Sequence, residues 1–230
     1  MKKLNLHGKN LQQLPDELFS IMELEALVLS PERKACLYFK MDRLPEGIGN
    51  LVNLVELILD TNSLRELPET LSNLCNLERL SISNNLLSQL PKGFGKLKKL
   101  DSLHAANNEF EQFPKSLVKL KNLRFLDLSS NKISSLPEEI ENLTNLEYLM
   151  LYDNQLEEVP KGIGMLINLR VLLVGRNKIK SIPIEFFKLD KLDDFPLQGI
   201  FAMIEENPLE DPPISLIRQG KKAVLKAKGL

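Results

Sequence analysis

Apolar residues recur along this chain in a pattern that neither a helix nor a strand explains alone. In residues 123–145, LRFLDLSSNKISSLPEEIENLTN, the residues Leu123, Leu126, Leu128, Ile133, Leu136, Ile140 and Leu143 stand at positions 1, 4, 6, 11, 14, 18 and 21 of the segment. Asn131 falls at position 9 and Pro137 at position 15. Positions 4 and 6 are spaced as on one face of a half-buried strand, whereas Ile140 and Leu143, three apart, share one side of a short helix or 3-10 turn. The segment therefore reads as a strand, a turn and a return segment, each with its apolar side inward. Such a unit cannot hold itself together. Its apolar side chains contribute roughly 1.5–3 kcal/mol each when buried, against an ordering cost of about 1–2 kcal/mol for every residue. Stacked copies solve this, because each covers the open side of the next and the strands align into a parallel sheet.

The copies are there. Repeat starts fall at Met1, Leu24, Leu54, Leu77, Leu100, Leu123, Leu146, Leu169 and Leu192, and from Leu54 onward every step is 23 residues. The step from Leu24 to Leu54 is 30, an excess of seven that lies in SPERKACLYFK, after the strand ending at Leu29. A second excess of seven, IFAMIEE at Ile200–Glu206, stands between LDDFPLQG and NPLEDPP. Both read as bulges where the strand leaves the sheet, since loops accept extra length cheaply, with a dedicated binding loop as the rival reading. Position 9 carries a column of asparagines, Asn62, Asn85, Asn108, Asn131, Asn154, Asn177 and Asn207, broken in the first repeat by Lys9. A short amide there can bond turn backbone that the sheet leaves unpaired, so the column is read as structural. Position 15 carries a proline in every repeat, from Pro15 to Pro213, whose fixed φ suits the first turn of the return segment.

This is the pattern of a leucine-rich repeat, and the expected fold is α/β: a solenoid or horseshoe of about nine repeats with a concave parallel β-sheet. Residues 1–213 form the solenoid and 214–230 a capping helix interrupted near Gly220. In that helix Ile214, Leu216, Ile217, Val224 and Leu225 face the last repeat. Met1 already occupies position 1, so the first edge is expected to be bare.

Composition narrows the function. Thirty lysines and arginines against 31 aspartates and glutamates leave a net charge of -1, which supports neither a nucleic-acid partner nor an anionic membrane surface. Two cysteines, Cys36 and Cys75, are too few for disulfide-closed caps and suit a reducing compartment. The start, MKKLNLHGKN, lacks the apolar run of a signal peptide, and MLINLRVLLV is too short and interrupted by Arg170 to span a bilayer. A cytoplasmic monomer with no membrane insertion is expected.

The LP step, in SLPEEIENLTNLEYL and QLPKGFGKLKKL, together with the ending NPLEDPP and ISLIRQGKKAVL, carries a closer likeness. The chain resembles the intracellular Ras-group leucine-rich repeats, a group that includes Ras suppressor protein, the repeat domains of scribble and erbin, and plant Ras-group-related proteins. The resemblance implies a protein-binding scaffold in small-GTPase signalling or cell polarity. Its partner would be a small GTPase or a phosphatase or kinase component of such a pathway.

Residues able to do chemistry are few and scattered. His7 and His104 lie four strand spacings of about 4.8 Å apart, roughly 19 Å, and so cannot share a metal or a proton. Cys75 is on the return side and Cys36 in the first insertion. Gly93 and Gly95, like Gly162 and Gly164, belong to the turn after the LP step and lack the lysine and hydroxyl residue of a phosphate-binding loop. No catalytic residue, metal site or cofactor is expected. What remains is the face of the sheet at positions 3, 5 and 7. The early strands are polar there, whereas the sixth to eighth place Phe125, Tyr148, Met150, Tyr152, Val171 and Leu173 together, bordered by Asp127, Asp153 and Arg176. Such a contiguous apolar surface, with aromatic anchors and charge at its margin, is the candidate partner site. The expected function is a non-catalytic interaction scaffold gripping a protein on its concave face. The alternative is a recognition or regulatory domain, or an isoform, of a larger signalling enzyme or immune receptor.

Overall fold

A computed structural model of the chain describes residues 2–7, 9, 14–31, 40–192 and 204–229. Met1, Cys36, residues 32–39 of the first insertion and residues 200–203 of the second lie outside the described residues. The chain forms two compact units, Met1–Phe110 with Pro114–Leu123, and Glu111–Phe113 with Arg124–Leu230.

In the first unit, strands β1 (Lys3–Asn5), β2 (Ala26–Val28), β3 (Glu56–Ile58), β4 (Arg79–Ser81) and β5 (Ser102–His104) pair in parallel and in chain order. Their register aligns Leu4, Leu27, Leu57, Leu80 and Leu103, the position-4 residues, of which the last four are fully buried. In the second unit, β6 (Phe125–Asp127), β7 (Tyr148–Met150) and β8 (Val171–Leu173) do the same, with Leu126, Leu149 and Leu172 in register and fully buried. All seven apolar positions of residues 123–145 are buried.

The return segments are 3-10 turns rather than α-helices. Five residues between the proline and the residue at position 21 leave room for about a turn and a half, and i→i+3 bonding closes a turn in fewer residues. Pro15, Pro45, Pro68, Pro137, Pro160 and Pro183 open their turns with φ between −61° and −75°. Each offers its carbonyl to the amide three residues on, as Pro137 does to Ile140 at 3.1 Å. The leucine at position 21 ends the turn by donating back, as Leu143 does to the Ile140 carbonyl at 3.0 Å. After Pro213, α1 (Ile214–Ile217) and α2 (Lys221–Ala227) are separated by Gly220, at φ 94°. Ile217 and Val224 are their buried residues.

Between the strands and the turns runs a polar ladder. Asn154 Nδ2 donates to the Leu151 carbonyl of its own repeat at 3.2 Å and to the Leu128 carbonyl of the preceding one at 3.0 Å, while its Oδ1 accepts from the Ile133 amide at 3.0 Å. Asn62, Asn85, Asn108, Asn177 and Asn207 make the corresponding bonds, and all of them, with Asn131, are buried. A second asparagine column, which the apolar pattern does not reveal, stands at position 23. Asn53, Asn76, Asn122 and Asn168 donate to the Met22, Val52, Lys98 and Thr144 carbonyls at the end of the preceding return segment.

Hydrogen bonding also locates the two excesses. Asn62 reaches back 33 residues to Leu29, where Asn85 reaches back 26 to Leu59, and Met41 stands 21 before Asn62, as Leu64 does before Asn85. The first excess therefore lies between Leu29 and Met41. Asn207 likewise reaches back 33 residues, to Val174, yet it bonds the Ile204 carbonyl three residues before it. Ile204 thus holds position 6, Glu205 position 7 and Glu206 position 8. The expectation that Ile200–Glu206 form a bulge after the strand is corrected: the extra length enters before Ile204, and Ile204–Glu206 belong to the repeat itself.

Candidate protein-binding face

The face begins with strand alternation. Leu126, Leu149 and Leu172 point into the core, which sends their neighbours outward. Register then sets the rows. Phe125 pairs with Tyr148 and Tyr148 with Val171, forming one row; Asp127, Met150 and Leu173 form the next. The Phe125 and Tyr148 rings lie 6.0 Å apart with planes tilted by 36°. All six of these side chains, and Tyr152 beyond them, are half-buried. Every face residue singled out from the sequence therefore lies within the second unit, on three adjacent strands and the corners that follow them.

At those corners the chain adopts a conformation that side chains rarely take. Thr61, Asn84, Asn107, Ser130, Asp153, Arg176 and Glu206, each at position 8, have φ between 52° and 65°. The left-handed residue turns the chain so that the asparagine after it points inward. Each costs about 1–3 kcal/mol when it is not glycine. Asp153 accepts a bond from the Ser130 hydroxyl at 3.2 Å. Arg176 sits with its guanidinium carbon 5.8 Å from the Tyr152 ring centroid and pairs through Nε with Glu206 at 2.9 Å.

Gly175 completes this corner. A Cβ there would meet the Tyr152 ring and the Glu205 carbonyl oxygen, each at 3.1 Å, so glycine is what lets the ring lie down beside it. Sequence reasoning missed Gly175, Glu205 and Glu206 as parts of this margin. The one signal was a glycine at position 7, where the preceding repeats carry side chains. On the opposite margin Arg124 pairs with Glu147 at 3.7 Å. Asp127 accepts the Ser129 amide at 2.9 Å, and among the described residues no lysine or arginine forms an ion pair with it.

In the first unit the same strand face is polar on β4 and β5, whereas β2 and β3 place Ala26, Val28 and Ile58 there. Asp60 accepts the Ser81 hydroxyl at 2.7 Å and the Ser83 amide at 2.7 Å. Burial pushes its carboxyl above the ordinary value, against the pull of those bonds and of His104. His104 Nε2 lies 3.1 Å from the Ser102 hydroxyl, and His7 is exposed. Cys75 is an exposed free thiol. Among the described residues no three histidines, cysteines or carboxylates are grouped to hold a metal, and no helix is long and apolar enough to cross a membrane. A cleft of about 510 Å³ in the second unit is lined by Val159, Ile182 and Phe187, with Glu158, Asp211 and Lys228 among its polar groups. It lies along the Val159–Pro160 and Ile182–Pro183 steps and touches none of the face residues.

Comparison with known proteins agrees with this geometry. A family model described as a leucine-rich repeat region matches residues 35–135 and 111–206. Among solved structures the chain is similar to a leucine-rich-repeat protein of Leptospira interrogans, at 32% identity and a TM-score of 0.82, over 95% of this chain and 52% of that one. The chain thus spans about half the length of that protein. It is also similar to the ectodomain of the plant membrane receptor kinase GASSHO1/SCHENGEN3 from Arabidopsis thaliana, solved in complex with Casparian strip integrity factor 2. There the identity is 27% and the TM-score 0.74, over 89% of this chain and 24% of that one. An internalin of Listeria monocytogenes, at 22% identity and a TM-score of 0.74 over 92% of this chain and 56% of that one, is alike in fold alone. Comparison with curated proteins finds no match.

Proposed function

Because the chain belongs to the leucine-rich-repeat family, whose fold generally serves as a protein–protein interaction module, we propose that it is a non-catalytic scaffold holding a protein partner on the strand face of β6–β8. The observation that carries this reading is the contiguous surface of Phe125, Tyr148, Val171, Met150, Leu173 and Tyr152, half-buried with no covering element among the described residues. Apolar and aromatic side chains in adjacent rows, bordered by charge, are what a binding hot spot requires. Propensity alone does not force them there, since the first unit builds the same strands with only Val28 and Ile58 as large apolar residues, beside Glu56, Arg79, Ser81, Ser102 and His104 at the equivalent positions. The Arabidopsis ectodomain was solved in complex with Casparian strip integrity factor 2, and a similar structure is that of a plant peptide hormone receptor, RGFR1, in complex with RGF2, which favours a polypeptide ligand. The likeness of the LP step to the Ras-group repeats supports a place in cytoplasmic signalling, with a small GTPase or a phosphatase or kinase component as the partner. The low net charge and the mixed surface favour a monomer and give nucleic acid nothing to hold.

The test is capture of partners from native cells on the immobilised chain, with mass spectrometry of what binds. The double variant Tyr148→Ser with Leu173→Ser is expected to lose the partners that the wild type retains specifically. Retention of every one by the double variant would end the assignment of this face. A second reading, a recognition domain of a larger signalling enzyme or receptor, is favoured by the span of only 24% of the receptor ectodomain. Mapping the transcript beyond both ends of the chain decides between the two.

A further inference from the structure

We propose that the strand face of β6–β8 receives a cationic side chain at Asp127, the guanidinium or ammonium of an arginine or lysine that its partner carries between apolar residues. The inference rests on the reading that this face binds a polypeptide.

Asp127 is register-paired with Met150, which places Tyr148 on its diagonal within β7 and Tyr152 on the other side, two residues past Met150 and just beyond the end of that strand, both within reach of an aromatic side chain. Phe125 precedes it by two residues on the same face, with its ring 6.0 Å from that of Tyr148. One carboxylate therefore stands among three aromatic rings and a thioether. An apolar segment pressed against Phe125, Tyr148, Val171, Met150 and Leu173 would also cover Asp127 and strip its water. A covered carboxylate with no partner is costly, and among the described residues the bond it accepts comes from the Ser129 amide.

The neighbouring cations are committed elsewhere: Arg124 to Glu147, and Arg176 to Glu206 while lying over Tyr152. Compensation for Asp127 must then come from the ligand. A lysine or arginine supplies it twice, by a charge-assisted hydrogen bond to the carboxylate and by lying against aromatic faces. Asp153, at the corner of β7, adds a second carboxylate to the same margin. A partner that is apolar throughout, or acidic, leaves Asp127 uncompensated or opposed. Here the discrimination comes from the penalty as much as from the bond.

Panning a random heptapeptide library displayed on phage against the full chain tests this. The wild type is expected to enrich peptides with arginine or lysine beside an apolar or aromatic residue. Asp127→Asn, which keeps an oxygen for the Ser129 amide, is expected to keep the apolar preference and lose the basic one. A synthetic peptide from the wild-type pool should bind that variant about tenfold more weakly and should weaken with added salt on the wild type. A wild-type pool without basic enrichment, or a basic preference unchanged in Asp127→Asn, would overturn the cation site. The binding face itself would still stand if Tyr148→Ser with Leu173→Ser loses the pool. If that double variant enriches the same peptides as the wild type, or if the wild type enriches none, the face and the cation site both fall.

Discussion

At the scale of single residues, Asn154 shows what the asparagine column does. One side chain satisfies the Leu128 and Leu151 carbonyls and the Ile133 amide, groups from two successive repeats that no strand or turn uses. Alanine at this position leaves the buried Ile133 amide without its acceptor, while Asn131 and Asn177 still reach the Leu128 and Leu151 carbonyls, so Asn154→Ala is expected to lower stability by about 1–3 kcal/mol, read as the midpoint of a urea transition. Water entering the cavity would show itself as an unchanged midpoint. The residue before each such asparagine carries the opposite sign. Thr61 holds φ at 65° with a β-branched side chain, a conformation that asparagine tolerates far better. Thr61→Asn is expected to raise stability by about 0.5–1 kcal/mol. A lowered thermal midpoint would mean that the threonine makes a compensating contact. The asparagine column is legible in the sequence because its spacing is regular. The left-handed corner is not, since threonine, asparagine, serine, aspartate, arginine and glutamate all occupy it and no residue type marks it.

At the scale of elements, the return segments decide how closely repeats stack. Gly49 lies where a Cβ would come within 2.5 Å of the Thr70 Cβ and 2.7 Å of its carbonyl oxygen in the next segment. The backbone cannot yield there, because the Thr70 hydroxyl is tied to the Glu46 carbonyl at 2.7 Å and the Ile48 amide to Pro45 at 3.1 Å. Gly49→Ala is expected to cost roughly 1–3 kcal/mol by overpacking, measured by calorimetry, and an unchanged transition would show that the segments slide apart freely. Such glycines read in the sequence only as turn residues, because the contact that requires them comes from the neighbouring repeat. The same dependence explains the last repeat. Leu197 and Ile204 each offer an apolar residue for position 6, and spacing alone favours Leu197, 23 residues after Val174. Which one serves is decided by the carbonyl that Asn207 reaches, and that is Ile204.

At the scale of the whole molecule, one strand separates the demands of folding from those of binding. Leu149 is fully buried while Tyr148 and Met150 on either side are half-exposed. Leu149→Ala is therefore expected to cost roughly 2–5 kcal/mol, whereas Tyr148→Ser with Leu173→Ser should leave the urea midpoint nearly where it was and change partner capture alone. Equal destabilisation by both would make the face a second core rather than a site. The sequence by itself determined the repeat, the inward residues of each strand, the proline that opens each return segment and the outward rows from Phe125 to Leu173. All of these follow from alternation and short-range spacing, which each strand carries within itself. Only the tertiary structure decided the second asparagine column, the left-handed corners, the Arg176–Glu206 pair over Tyr152, the glycine beneath that ring and the place of Ile204. Apart from Ile204, fixed by the bond of Asn207 three residues on, each joins residues about 20 to 30 apart in the chain, or turns a backbone that no single residue type marks. A half-buried polar group takes whichever partner the stacking of repeats brings within hydrogen-bond reach, and that distance exists only once the repeats are stacked.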